Sequence, residues 1–197
     1  MRSPLDAFDR RNLLTYVSLL CGMAALVSAT LGRLPWAGGA IALAVIADTF
    51  DGRFARLFAA DAARTAMGGE LDSLADAIVF GAVPVACSLL QGAMPPLGRV
   101  YLGLAACAYV ACAITRLAFF NVQHGQSPGG FVGLPVPVAA LIWSSTLLLH
   151  PSPITGATVI AASAAAMVLP LRIARPTGLG LLLFVCWPVA VAIGHLG

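Results

Sequence analysis

Residues 34–58 read LPWAGGAIALAVIADTFDGRFARLF: fourteen residues without a charge, then two aspartates and two arginines within nine positions. A helix of roughly 20 largely apolar residues crosses the hydrocarbon core of a bilayer, and this run has that length while keeping its acids at one end. Similar apolar runs lie near 13–32, 70–91, 98–120, 131–149, 154–171 and 178–196. The breaks between them are Gly32-Arg33-Leu34-Pro35, the polar stretch 59–69, and residues 92–98, 121–130, 150–153 and 172–178, where proline and glycine collect as turn chemistry requires. Pro188 interrupts the last run, which membrane helices tolerate.

Composition agrees. The chain has 197 residues, 60% hydrophobic and 10% charged, with a mean hydropathy of +0.94, whereas soluble domains carry about 25% charged residues. A water-soluble globular protein is excluded, and no length remains for a separate soluble domain. The sequence therefore predicts an all-α polytopic transmembrane bundle forming one integral membrane domain over 1–197. Residues 1–12 form a juxtamembrane segment, with a short surface helix over 3–12; six helices fill 13–171, and a seventh occupies 178–196. A cleaved leader at 13–29 fits poorly, because the run is long for one and Asp6 and Asp9 spoil a basic flank.

All eleven basic residues are arginine. With seven spans and the N-terminus inside, nine of them face the cytoplasm and only Arg33 and Arg99 the outer side. The positive-inside rule thus places the N-terminus, and the acidic end of the 34–58 run, in the cytoplasm. The net charge of +3 gives no reason to expect nucleic acid. The five cysteines (Cys21, Cys87, Cys107, Cys112, Cys186) lie in apolar runs with no CxxC pair, and read as inert buried thiols.

Six of the eight acids fall between Asp48 and Asp76. Asp48 and Asp51 are three apart, Asp72 and Asp76 four apart, and either spacing puts both carboxylates on one helix face. The two runs are sequential and antiparallel, so the pairs can meet at similar depth. Four carboxylates near hydrocarbon cannot all stay ionised unless cations offset them. Oxygen donors without nearby His or Cys favour a hard ion such as Mg²⁺, Mn²⁺ or Ca²⁺, and four ligands suffice for two ions. Gly52 and Ala55 share the stripe of Asp48 and Asp51 and let a large ligand approach the backbone. Arg56 offers a fork to phosphate oxygens, and Gly68 lies one turn before Asp72. Metal-binding acids, small residues and one arginine together describe a site for a metal-bound diphosphate. Asp61 and Arg64 read as solvated boundary charges.

The pattern Asp48-x-x-Asp51-Gly52-x-x-Ala55-Arg56, followed by Gly68-x-x-x-Asp72-x-x-x-Asp76, resembles the signature of the CDP-alcohol phosphotransferases (CDP-alcohol phosphatidyltransferases). Further stretches are similar to bacterial integral-membrane phosphatidylserine synthases: Glu70-Leu-Asp-Ser-Leu-Ala-Asp76 with Phe80-Gly81, Arg116-Leu117 with Phe120-Asn121, Phe131-x-Gly133-Leu-Pro135-x-Pro137, and Asn12-Leu-Leu-Thr15 leading into Leu20-Cys21-Gly22. The resemblance covers about residues 11–175 and leaves the last helix outside a shared six-helix core. One departure is the spacer of eleven residues between Arg56 and Gly68, about three more than the family usually carries, a small entropic change in a loop.

The resemblance implies transfer of a phosphatidyl group from CDP-diacylglycerol to the hydroxyl of L-serine, releasing CMP and making phosphatidylserine. It implies a divalent cofactor, Mg²⁺ or Mn²⁺, as one or two ions held by Asp48, Asp51 and Asp72 with Asp76 at the edge. Asp76 is the implied catalytic base for the serine hydroxyl. Gly52, Ala55, Arg56 and Gly68 are implied to bind the CDP diphosphate. Asn12 and Thr15 either touch the nucleotide or cap the first helix. Arg116 either binds the acceptor or anchors the helix at the interface. Residues 133–137 shape a pocket wall or a kinked helix entrance; Arg172 and Arg175 set topology, His124 has no evident partner, and Trp36, Trp143 and Trp187 fit lipid packing or interfacial anchoring. The expected setting is the cell (inner) membrane with the active site facing the cytoplasm and membrane lipid around it. Homodimers are common in the family, and the sequence is silent on one here.

Glycerol 3-phosphate, inositol phosphate and choline are the alternative acceptors. A phosphorylated acceptor wants extra cations, and few are spare, which favours a zwitterion such as serine. A cation transporter could also use intramembrane acids, but transporters place them near the midplane in related repeats. Here they sit at one boundary, and the second half of the chain has none.

Overall fold

The computed structural model describes residues 5, 8–91, 94–123, 131–174 and 177–197. Arg2, Asp6, His124 and Arg175 lie outside them, as does part of the surface helix expected over 3–12. The described end of that segment is a 3-10 turn, Arg10–Asn12, capped by Asp9, whose carboxylate accepts the Arg11 N–H at 3.3 Å.

The helices are α1 (Leu13–Thr30), α2 (Leu34–Ala55), α3 (Ala62–Asp76), α4 (Val83–Leu89), α5 (Pro96–Gln123), α6 (Val136–Leu147), α7 (Pro153–Val168) and α8 (Leu179–Leu196). A π-helical turn, Ala77–Ala82, joins α3 to α4, making one continuous helix of 28 residues over Ala62–Leu89. Among the described residues five helices are long and apolar enough to cross a membrane; α6 and α7, with 12 and 16 residues, are shorter. The chain is an all-α polytopic membrane bundle.

Of the boundaries that differ from the sequence expectation, three have a clear local cause. The third helix starts at Ala62 rather than 70, because the Asp61 carboxylate caps it by accepting the Arg64 N–H at 2.7 Å, and alanine at the first two positions favours helix. The added residues of the long spacer therefore lie partly in helix. α6 starts at Val136, whereas the fifth apolar run is expected to be helical from 131. Pro135 biases Leu134 toward extended backbone, and Gly133 takes a positive φ of 75° that glycine alone adopts without strain. A Cβ on Gly133 would collide with the Met167 carbonyl oxygen. Ahead of it, β1 (Phe131–Val132) pairs antiparallel with β2 (Arg172–Ile173). The third is α7, which stops at Val168 because Pro170 disfavours helix at Leu169, whose ψ is 147°.

The non-helical stretch before α6 keeps its backbone satisfied, as non-helical chain at membrane depth must. Gly133 N–H donates to Leu171 O and Leu134 N–H to Ala166 O, both at 2.9 Å. A segment of 12 helical residues is only about 18 Å long, so this extended lead-in accounts for how α6 reaches one end of the bundle.

Small residues on α2 set its packing: Ala37, Gly38, Gly39, Ala42, Ala44 and Ala47 are all buried. They let neighbouring backbones approach closely, which is how membrane helices associate without a hydrophobic driving force. α8 lies against this face, where the His195 ring occupies the space a Cβ on Gly38 would need. His195 Nε2 is 2.9 Å from Ser144 O, and the Ser144 hydroxyl donates to Gly38 O at 2.8 Å. Two tryptophans expected to face lipid instead donate inside the protein, Trp143 to the Ser88 hydroxyl (2.8 Å) and Trp187 to the Ser145 hydroxyl (3.0 Å). Trp36 is exposed. All five cysteines are free; Cys87 is buried, but Cys107 and Cys186 lie on the outer face of the bundle rather than inside it.

Candidate active site

Antiparallel packing brings the end of α2, the last turns of α3, the start of α1 and the end of α5 together near one end of the bundle. Asp48 and Asp51 project from α2 and Asp72 and Asp76 from α3, and all four are half-buried. One carboxylate oxygen from each of Asp48, Asp72 and Asp76 lies within 4.8 Å of the others. Asp48 is within hydrogen-bonding reach of Asp76, and Asp51 of Asp72. The structure thus gathers Asp48, Asp72 and Asp76 most tightly and sets Asp51 beside them, turned toward α1. There the Thr15 hydroxyl donates to Asp51 Oδ2 at 3.3 Å.

The donor set fits a divalent cation. It consists of carboxylate oxygens alone, and such sites suit hard ions like Mg²⁺ and Mn²⁺. Carboxylates packed this closely repel one another unless protons or cations intervene. The nearby protein cation is Arg116 on α5, buried at 7% exposure and within electrostatic range of Asp76. Its guanidinium carbon lies 5.7 Å from the Phe120 ring centre. At this burial Arg116 packs within the bundle on the Asp76 side.

The small residues leave room where the sequence pattern asks for it. A Cβ on Gly52 would meet no heavy atom within 4 Å, so the space above the Asp48–Asp51 stripe is open. Arg56 bends back along its helix, donating from Nε to Gly52 O at 2.9 Å, and remains exposed. Ala55 offers its carbonyl to Arg11 Nε at 3.2 Å. Gly68 is on α3, where a Cβ would press to 3.2 Å from Asn12 Oδ1. Asn12 is buried and makes no side-chain cap to α1, so it faces α3 rather than closing its own helix.

Two features were not anticipated. The first is the π turn that begins directly after Asp76. Pro84 has no N–H to give Phe80 O in a regular helix, and the buried Tyr109 hydroxyl donates to that oxygen at 3.1 Å. Single π turns of this kind gather at functional sites. Pro84 four residues after Phe80 was the available signal. The second is a link between α3 and α5: Asn121 Nδ2 donates to the Ser73 hydroxyl at 2.9 Å. Ser73 adjoins Asp72, so this contact holds the acid-bearing helix against the helix that carries Arg116.

Comparison with known proteins covers the part of the chain that carries these residues. The model of the CDP-alcohol phosphatidyltransferase family matches residues 11–174. A CDP-diacylglycerol–serine O-phosphatidyltransferase of Mycobacterium leprae is 36% identical over 135 residues, covering 65% of this chain and 43% of that protein. The protein of that name from Helicobacter pylori is 34% identical over 148 residues (75% and 60%), and that from Bacillus subtilis 33% over 131 residues (66% and 70%). The chain therefore spans about half the length of the first two of these relatives. With the family match running through the start of α1, both acid pairs, Arg116 and the β1–β2 pair, the chain belongs to the CDP-alcohol phosphatidyltransferase family.

Proposed function

We propose that this protein transfers the phosphatidyl group of CDP-diacylglycerol to the hydroxyl of L-serine, releasing CMP and forming phosphatidylserine. The observation that carries the reading is the convergence of Asp48, Asp72 and Asp76, with Asp51 alongside, beneath the open face at Gly52. The names of the relatives from three bacteria support serine as acceptor.

Asp48, Asp51, Asp72 and Asp76 would hold Mg²⁺ or Mn²⁺, as one ion or two. Bound there, the metal supplies positive charge to the diphosphate and its leaving group. The protein's residues do the rest. Gly52 and Ala55 admit the diphosphate to the α2 backbone, and Arg56 releases Gly52 O to meet phosphate oxygens. Asn12, Thr15 and Gly68 frame the nucleotide end. Asp76 accepts the proton of the serine hydroxyl, whose oxygen forms a bond to the phosphorus bearing diacylglycerol. The bond from that phosphorus to the bridging oxygen breaks, and CMP leaves with the electron pair. Arg116, on the Asp76 side, pairs with the serine carboxylate.

The site end carries Arg10, Arg11, Arg53, Arg56, Arg64, Arg116 and Arg172 among the described residues, and the other end Arg33 and Arg99. This asymmetry supports a cytoplasmic site in the cell membrane, with the acyl chains of the donor remaining in the bilayer. The domain reading is a single membrane unit, with 13–171 as catalytic core and α8 as an addition.

The test is CMP release by the purified protein from CDP-diacylglycerol with Mn²⁺ or Mg²⁺, comparing serine, glycerol 3-phosphate, inositol phosphate, choline and no acceptor. Release stimulated by serine alone is expected. Stimulation by another alcohol would retain the site and replace the acceptor. No release by folded protein with any acceptor would reject the transferase reading.

A further inference from the structure

We propose that Arg11, which no part of the signature includes, is a further binding residue for the donor, its guanidinium Nη1 taking a phosphate oxygen of the CDP diphosphate. This rests on the transferase reading above and adds a residue to it. Arg11 sits in the 3-10 turn immediately before Asn12, on the stretch that touches both acid-bearing helices: Asn12 faces Gly68 of α3, and Thr15 holds Asp51 of α2. Its Nε donates to Ala55 O, which fixes the plane of the fork at the end of the stripe formed by Asp48, Gly52 and Ala55. Its Nη1 is buried and has no hydrogen-bond partner among the described residues. A buried charged donor without an acceptor carries the full penalty of lost hydration, and an anion arriving at that atom removes it.

Three other arginines of this end are engaged elsewhere. Arg10 stacks on Phe58 at 4.8 Å, Arg56 bends to Gly52 O, and Arg64 approaches Asp9 at 3.8 Å, and all three are exposed. The pair of Arg64 and Asp9 is the one salt bridge among the described residues, so no described carboxylate forms an ion pair with Arg11. A guanidinium already anchored through Nε offers its remaining N–H groups in a fixed plane, which suits phosphate oxygens. The simpler role, capping the last carbonyls of α2, explains the Nε contact and leaves the buried Nη1 unexplained.

The experiment compares wild type, Arg11→Gln and Arg11→Lys as full-length protein in detergent with Mg²⁺. It measures the dissociation constant for CDP, KM and kcat for CDP-diacylglycerol, the melting temperature, and the stabilisation given by phosphatidic acid. Glutamine can still donate to Ala55 O but carries no charge. The expected result for Arg11→Gln is CDP binding weakened about tenfold or more, KM raised with kcat changed less, and an unchanged melting temperature, with Arg11→Lys recovering part of the affinity. Arg11→Gln binding CDP within twofold of wild type would overturn the assignment and leave Arg11 a helix cap. CDP affinity retained while stabilisation by phosphatidic acid is lost would overturn it in favour of a lipid headgroup. Weaker CDP binding only in step with a lower melting temperature would overturn it as a structural effect. Wild type that binds no CDP would instead reject the transferase reading itself, and this inference with it.

Discussion

At the scale of single residues the site depends on which carboxylate does what. Asp76 closes the tight group of three and lies on the Arg116 side, and the proton-accepting role and the metal contact proposed for it are separable by experiment. Asp76→Asn should lower turnover by roughly 10²–10⁴-fold, the range of general base catalysis, while CDP affinity changes only severalfold; near-normal turnover would remove Asp76 from the base role. Thr15 orients Asp51 without itself being a carboxylate ligand. Partners of metal ligands matter at about 10–100-fold in metal affinity, so Thr15→Val should shift the Mn²⁺ activation curve by about tenfold at unchanged melting temperature. An unmoved curve would mean that Asp51 is held by other contacts. The spacing of the acids made their shared faces legible in the sequence, since helical periodicity alone decides that. Which three of the four converge was not legible, because it depends on how α2 and α3 lie against each other and on the pull of Thr15 from a third helix.

At the scale of elements, the apolar runs marked the helices because a bilayer demands length and composition, both visible in sequence. The exception is instructive. Phe131 to Pro135 is as apolar as a helix, yet it is extended, since Gly133 needs a positive φ and Pro135 excludes helix before it. The punctuation was present at Gly133 and Pro135. The strand partner, 40 residues further on, was not foreseeable from local pattern. Gly133→Ala should cost at least ~2 kcal/mol, from strained backbone plus collision with the Met167 carbonyl. Detergent melting curves check this, and an unchanged transition would mean the turn relaxes at no cost. The early start of α3 has a similar lesson: the stretch 59–69 looked like loop because it is polar, but an Asp cap and alanines continue a helix beyond the hydrocarbon.

At the scale of the whole molecule, α8 lies beyond the family match yet packs into the same bundle. Its polar contacts, His195 to Ser144 and Trp187 to Ser145, lie toward the end of the bundle opposite the acids. Gly38→Val would push the His195 ring out of its place. The expected outcome is a melting temperature lower by several degrees, with KM for CDP-diacylglycerol unchanged at low temperature. A changed KM with unchanged melting would tie α8 to the site instead. That α8 spans was legible from its hydropathy, whereas its docking was not, because Gly38 and Gly39 announce a close neighbour without saying which helix it is.

The π turn has a mechanical consequence for this arrangement. Above it, α4 is gripped by the core, and the Tyr109 hydroxyl pins Phe80 in the joint itself. Below it, α3 continues as a rod with exposed residues along much of its length, tied to α5 near the joint through Ser73 and Asn121. A rod pivoting at such a fulcrum displaces each point in proportion to its distance. Asp76, beside the fulcrum, would move least, and Gly68, eight residues away and so about 12 Å along the rod, would move more. Any tilt of α3 about this joint would therefore alter the Gly68–Asn12 contact more than the spacing of the carboxylates.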